Sequence, residues 1–182
     1  MNVHRCPWWL TYAFDNPLRR LLHDPEKILK PYIKEGARAA DLGCGMGYFT
    51  PTLAKLVGAR GRVQAIDLQP QQLARVRARA RRAGVLDRVE LVTAEPERLG
   101  LTPPVDFVLA FWMVHEVPNA AAFFTEIRNS LAPHATVLIA EPRVHVRWRP
   151  FAATLDLART LGFVAAPVHT IRFSHAAVLT LA

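Results

Sequence analysis

The stretch "DLGCGMG", residues 41 to 47, holds the residues best placed for chemistry. A carboxylate, Asp41, is followed by glycines at alternate positions, Gly43, Gly45 and Gly47, ahead of an apparent helix. Glycine adopts left-handed backbone angles without a Cβ penalty, so such a loop can pass close beneath a ligand. Three ligand classes compete for it. A phosphate-binding P-loop needs G-x-x-x-x-G-K-[ST], and no Lys-Ser or Lys-Thr pair follows these glycines. The dinucleotide fingerprint needs G-x-G-x-x-G. Counted from Gly43, Tyr48 stands where the third glycine should be. A tyrosine there opposes the close helix–strand packing that accompanies a bound pyrophosphate.

The third candidate ligand, S-adenosylmethionine, has no phosphates. It presents an ammonium and a carboxylate, a ribose diol, an adenine and a cationic sulfonium. Asp41 is placed to meet the ammonium, directly or through water. Asp67, closing the apolar run "VQAID", is placed to accept both ribose hydroxyls, and Glu95 in "VTAEPERL" to reach the adenine amino group. Asp67 alone would also suit a nicotinamide dinucleotide. The glycine spacing discriminates.

Methyl transfer is an in-line displacement at a carbon already activated by the sulfonium. The protein mainly aligns the acceptor and excludes water. A general base is needed only where the acceptor must lose a proton. His115 is the candidate base, because imidazole titrates near neutrality; the competing role is to orient a loop or pack against the cofactor. Glu116 reads as its structural partner. His145 and Trp148 follow the fifth apolar run and could face the acceptor. Trp8 and Trp9 could wall a sulfonium or a flat acceptor, or serve as core for N-terminal helices. Cys6 reads as a free buried thiol, and two cysteines, Cys6 and Cys44, support no metal cluster.

These residues need a scaffold that brings the ends of several apolar runs to one edge. The runs "ARAADLG", "GRVQAIDL", "RVELVTAE", "VDFVLAFWMV" and "ATVLIAEP" alternate with helical segments. The first such helix opens with Thr50 as N-cap and Pro51, the arginine-rich one at Pro70. A third is closed by Pro133 and a fourth by Gly162. Continuous apolar strands alternating with helices indicate an α/β fold, a mostly parallel sheet covered on both faces. "FVAAPVHTIRF" and "HAAVLTLA" have no helix between them, which predicts a C-terminal antiparallel hairpin at one edge. Residues 1–36 read as an N-terminal helical extension with two short helices, opening at Asn16-Pro17 and Asp24-Pro25. Residues 37–182 form the cofactor-binding domain.

The chain has 182 residues, 51% of them hydrophobic, so one domain with a sizeable core is expected. No apolar run is long enough to cross a bilayer and no signal peptide is evident, so a cytoplasmic protein is expected. The net charge of +8 raises a nucleic-acid partner. Much of the excess lies in one segment, with Arg75, Arg77, Arg79, Arg81 and Arg82. No aromatic residues interleave there to stack on bases, so a solvated helix face is the preferred reading.

With these motifs in hand, the chain resembles the class I S-adenosylmethionine-dependent methyltransferases. It looks closest to the small enzymes similar to the ubiquinone/menaquinone C-methyltransferase group. "AADLGCGMGYFT" carries the first motif, including Cys44, "AIDL" the ribose motif and "VTAEPERL" the third. "PVDFVLAFWMVHEVPN" carries the fourth. The resemblance implies a Rossmann-like seven-stranded sheet, with Leu68 against the adenine and Ala110 and Phe111 bordering the methionine part. It implies S-adenosylhomocysteine as product and a small-molecule acceptor. Tyr12 could close over the methionine end, as N-terminal tyrosines can in relatives. The Asn/Asp-Pro-Pro-aromatic motif of exocyclic-amine nucleic-acid enzymes is absent, as is a cytosine-type cysteine nucleophile. A non-enzymatic binder of the cofactor is the further alternative. Two departures stand out: "APHAT" replaces a family glycine pair at a turn, and the segment after the fifth strand is short. Any lid must then come largely from residues 1–36.

Overall fold

The structure is a computed structural model that describes residues 22–182. Seven strands form one sheet in the order β3-β2-β1-β4-β5-β7-β6. In chain order these are β1 (Arg38–Leu42), β2 (Arg62–Asp67), β3 (Val89–Thr93), β4 (Val105–Phe111), β5 (Leu131–Pro142), β6 (Phe163–Val168) and β7 (Ser174–Leu181). The first five pair in parallel, and β7 runs antiparallel to both β5 and β6. The hairpin expected from the C-terminal sequence is therefore present, with β6 at the edge.

The helices are α1 (Pro25–Leu29), α2 (Thr50–Leu56), α3 (Pro70–Arg82), α4 (Ala120–Ser130) and α5 (Trp148–Thr160). The central strands feed two cores by strict alternation. Phe107, Leu109 and Phe111 of β4 pack in the layer with Leu29 of α1, Leu53 of α2 and Ala80 of α3. Val108 and Ala110 pack in the other layer, with Phe124 of α4 and Leu155 of α5. A strand buried on both sides needs apolar residues at every position, which is why these runs show no polar alternation.

Local starts and stops explain the element ends and correct two expectations. Asp24 caps α1 as read, its carboxylate accepting the N–H of Glu26 at 3.0 Å, with Pro25 in the first turn. Thr50 is not the N-cap of α2. That position is Phe49, and the Thr50 hydroxyl donates to Asp41 Oδ2 at 2.6 Å instead. Pro133 does not close α4 directly. The helix stops at Ser130, Leu131 already pairs with Val105, and Ala132, the residue before Pro133, is itself pushed toward extended geometry. In "APHAT" the left-handed residue is His134, with φ 64°.

Of the residues expected to form the N-terminal extension, Leu29 is fully buried in the shared core. The start signal at Pro17, together with Cys6, Trp8, Trp9 and Tyr12, lies outside the described residues. Among the described residues no helix is long and apolar enough to cross a membrane.

Candidate active site

A cavity of about 930 Å³ runs along the carboxyl edge of the parallel strands, at the upper end of the ~300–1,000 Å³ usual for ligand sites. Its lining draws on the segments after β1, β2, β3, β4 and β5 in turn. That is where an open parallel sheet leaves backbone ends and side chains free to meet a ligand.

The glycine loop forms one wall. Gly43, Gly45 and Gly47 all have positive φ, at 58°, 53° and 75°. Their reasons differ. A Cβ on Gly43 would sit 2.9 Å from Met113 Cβ, so the loops after β1 and β4 meet here without room for a side chain. A Cβ on Gly47 would sit 3.1 Å from Val76 Cγ2 on α3. At Gly45 a Cβ would meet nothing within 4 Å, so its bare backbone borders the cavity itself. The loop is tied to β2 by the Cys44 N–H donating to the Ile66 carbonyl at 3.0 Å. Burial pushes the Cys44 thiol well above its ordinary pKa, with the nearby Asp41 and Asp67 adding to the shift. It is an uncharged packing group.

Asp67 ends β2 with 9% of its surface exposed. Its Oδ2 accepts the Gly45 N–H and its Oδ1 the Gln69 N–H, both at 2.9 Å. Each oxygen thus accepts from the backbone, and a carboxylate has about four acceptor sites in all. Burial raises the Asp67 pKa, and hydrogen bonds from Gln69, Gly45 and Leu68 oppose the rise. Leu68 lines the cavity with 37% of its surface exposed, and Glu95 lines it from beyond β3. Asp41 is 3% exposed and reaches the cavity with its carboxylate oriented by Thr50.

A residue not anticipated from sequence shapes this half. Glu126 of α4 accepts the N–H groups of Leu99 and Gly100, each at 2.8 Å, and of Leu101 at 3.4 Å. It pins the segment that carries Glu95 through Leu99 along the cavity. Its sequence signal is faint: one acid between Thr125 and Ile127 in a helix that also carries Arg128, Asn129 and Ser130.

The opposite wall follows β4 and β5. Phe111 lines the cavity; Ala110 is fully buried in the layer beneath α4 and α5 and does not. Trp112 turns the chain with φ 61°, a left-handed angle that costs a bulky residue strain and persists only where surroundings impose it. Here its N–H donates to the Ala140 carbonyl at 2.7 Å and its indole N–H to Ser174 Oγ at 2.9 Å. The turn leads into a short 3-10 segment, Val114–Glu116, and brings His115 to the lining.

Behind His115 sits Glu141, the second residue that sequence reading missed. It is 3% exposed at the end of β5. Its Oε1 accepts the Val114 N–H at 2.8 Å, and its Oε2 lies 2.5 Å from His115 Nδ1. The His115 side chain is 24% exposed. The Glu141 hydrogen bond raises the His115 pKa; burial opposes this, and the charges of Glu141 and Glu116 add to the rise. The ring of His145 lies 5.9 Å from that of His115, edge to face. Trp148, also read as facing the acceptor, instead packs its ring against Phe151 and His175 and does not line the cavity. The signal that could have found Glu141 is a carboxylate near the end of the apolar run "VLIAE", beside the strand whose following turn carries "HE".

Comparison with known proteins bears on the family and the fold. Residues 39–134 match the methyltransferase domain family. A crystal structure of an S-adenosylmethionine-dependent methyltransferase from Aquifex aeolicus superposes with a TM-score of 0.86 at 25% identity. It covers 98% of this chain and all of that one. A ubiquinone biosynthesis O-methyltransferase from Xylella fastidiosa is 28% identical over 135 residues, 72% of this chain and 53% of that protein. A carboxy-S-adenosyl-L-methionine synthase from Dichelobacter nodosus is 30% identical over 122 residues, 66% of this chain and 51% of that one. The chain thus spans about half the length of these curated relatives. The family match covers more than half of the chain, and the fold and glycine loop agree with it: the chain belongs to the methyltransferase domain family, as a class I S-adenosylmethionine-dependent methyltransferase domain.

Proposed function

We propose that the chain transfers a methyl group from S-adenosylmethionine to a small-molecule acceptor by in-line displacement, leaving S-adenosylhomocysteine. The observation that carries this reading is one cavity lined by Gly45 and Asp67 from the loops after β1 and β2 and by His115 from the loop after β4. The residues present fit the cofactor. The open side of Gly45 suits close backbone approach. The Asp67 carboxylate, oriented by backbone N–H groups at the cavity wall, suits a ribose diol. The exposed Leu68 offers an apolar face for the adenine and Glu95 an acceptor for its amino group. Asp41, held by Thr50, suits the ammonium.

Bound there, S-adenosylmethionine supplies a methyl carbon activated by the sulfonium. The chain's own part is to hold, orient and exclude water. The glycine loop and Asp67 fix one wall while Phe111, Trp112 and Met113 shape the other. The arginine-rich α3 packs against β2 and β3, whereas His115 and His145 follow β4 and β5. That separation supports a small acceptor over a nucleic acid, as does the similarity to an enzyme named for ubiquinone biosynthesis.

Calorimetric titration with S-adenosylhomocysteine tests the cofactor site. Micromolar binding is expected, and Asp67→Ala should weaken it tenfold or more, since charge-assisted hydrogen bonds contribute about 1.5–3 kcal/mol. Unchanged affinity in that variant would reject the ribose assignment. Binding without turnover on a broad metabolite panel would leave a cofactor-binding protein rather than a transferase.

A further inference from the structure

We propose that the acceptor is a flat, uncharged, largely apolar molecule bearing an acidic hydroxyl, such as a phenol, and that His115 Nε2 takes its proton while Glu141 holds His115 in place. This deepens the reading of the same cavity and rests on it.

Two independent features point there. The first is the dyad. With Oε1 of Glu141 taken by the Val114 N–H, Oε2 is the acceptor facing His115 Nδ1, and the geometry assigns the shared proton to Nδ1. His115 lines the cavity and Glu141 does not, so Nδ1 faces inward and Nε2 is the nitrogen on the cavity side. Glu141 is itself fixed by the Val114 N–H, which belongs to the same turn. A carboxylate that sets the tautomer and orientation of a histidine makes it a directed proton acceptor. Among the described residues three groups face the ring: Glu141 on Nδ1, Glu116 with Oε1 3.9 Å from Nε2, and His145 edge-on.

The second feature is the lining around that ring. The lining that follows β4 and β5 is mostly apolar, with Trp112, Met113, Val117, Pro142, Val144 and Phe173, and its polar members besides His115 are Glu116, Asn119, Glu126 and His145. Val144 is 89% and Phe173 58% exposed, so apolar surface stands ready at the mouth. Among the described residues two arginines line the cavity, Arg79 on α3 and Arg98 on the segment after β3. Among the described residues, a carboxylate or phosphate acceptor would find no arginine or lysine in the lining that follows β4 and β5. A neutral hydroxyl needs a proton acceptor, not a cation, and the dyad supplies one.

In the step, the acceptor O–H bond breaks and its proton passes to His115 Nε2. The oxygen pair forms the new O–C bond as the C–S bond breaks, and that pair stays on sulfur. Sulfonium charge is replaced by imidazolium charge, so the balance closes without any other reactant. Glu141 is a positioning residue in this account and His115 the catalytic one.

Two acceptors of the same shape separate base catalysis from packing. Phenol is neutral in mild alkali, whereas 4-nitrophenol is already ionised there and needs no base. With methyl-labelled S-adenosylmethionine, both should be methylated. Glu141→Gln and the more exposed His115→Gln should each lose at least about tenfold more turnover with phenol than with 4-nitrophenol. Independently of turnover, NMR titration of the cofactor-free protein should place His115 above the ordinary histidine range and show it fall in Glu141→Gln. Equal losses on both phenols, an unmoved His115 titration, or cofactor binding with no transfer to either phenol would overturn the inference. Absence of S-adenosylhomocysteine binding would instead overturn the cofactor reading beneath it.

Discussion

The two walls of the cavity are built by different means. The wall after β1 and β2 is made by backbone: three left-handed glycines and a carboxylate that binds the loop's own N–H groups. The wall after β4 and β5 is made by side chains converging from distant segments, with His115, Glu141, His145 and Phe173 drawn together by strand pairing. A backbone site tolerates few residue types and suits one fixed ligand. A side-chain site can be re-lined without touching the sheet, which suits a part whose ligand differs between relatives.

Substitutions on the first wall should show this contrast most strongly. Gly43→Ala adds left-handed strain of about 1–2 kcal/mol and a clash with Met113 worth roughly 1–3 kcal/mol more. Gly45→Ala carries the strain alone, since its methyl would meet open space. Urea denaturation should therefore rank Gly43→Ala as the less stable. Gly45→Ala should instead lose S-adenosylhomocysteine affinity beyond its stability loss, because its methyl enters the cavity. Equal stability losses would break the distinction between a packing glycine and a ligand-facing one.

Glu126→Ala comes next. It strips the acceptor from three N–H groups and should cost about 1–3 kcal/mol by the same denaturation assay. Faster hydrogen exchange at Leu99 and Gly100 should accompany it. Unchanged exchange there would mean the segment is held by other contacts.

The smallest effect is the pH dependence of the second wall. The folded His115 pKa is raised above its ordinary 6.5. Its stabilisation is therefore fully present below about pH 6.5 and is lost as pH rises through the higher folded value. The stability gap between the native chain and His115→Gln, read from denaturation midpoints, should be widest in mild acid and shrink in mild alkali. A gap that widens with pH would reverse the sign and remove Glu141 as the partner of a charged imidazole.

The same contrast explains what the sequence discloses. The glycine loop, Asp67 and the alternation of apolar runs are legible because short-range spacing dictates them. The C-terminal hairpin is legible because no helix separates its strands. The Glu141–His115 pair is not legible in that way. It exists because Phe111 of β4 stands opposite Ala140 of β5, which sets the next residues of each strand side by side. Glu126 is hidden for a similar reason, since its partners lie on a loop far along the chain. Thr50 shows the converse: it has the type of a cap, and tertiary structure spends its hydroxyl on Asp41. Local propensity yields when a buried carboxylate needs a donor.

A crystal structure with S-adenosylhomocysteine bound tests the central claim most directly. The account predicts both ribose hydroxyls within hydrogen-bond distance of the Asp67 carboxylate, the adenine beside Leu68, and the sulfur turned toward the His115 side of the cavity. A ligand that leaves Asp67 without a ribose contact, or turns its sulfur away from His115, would contradict it.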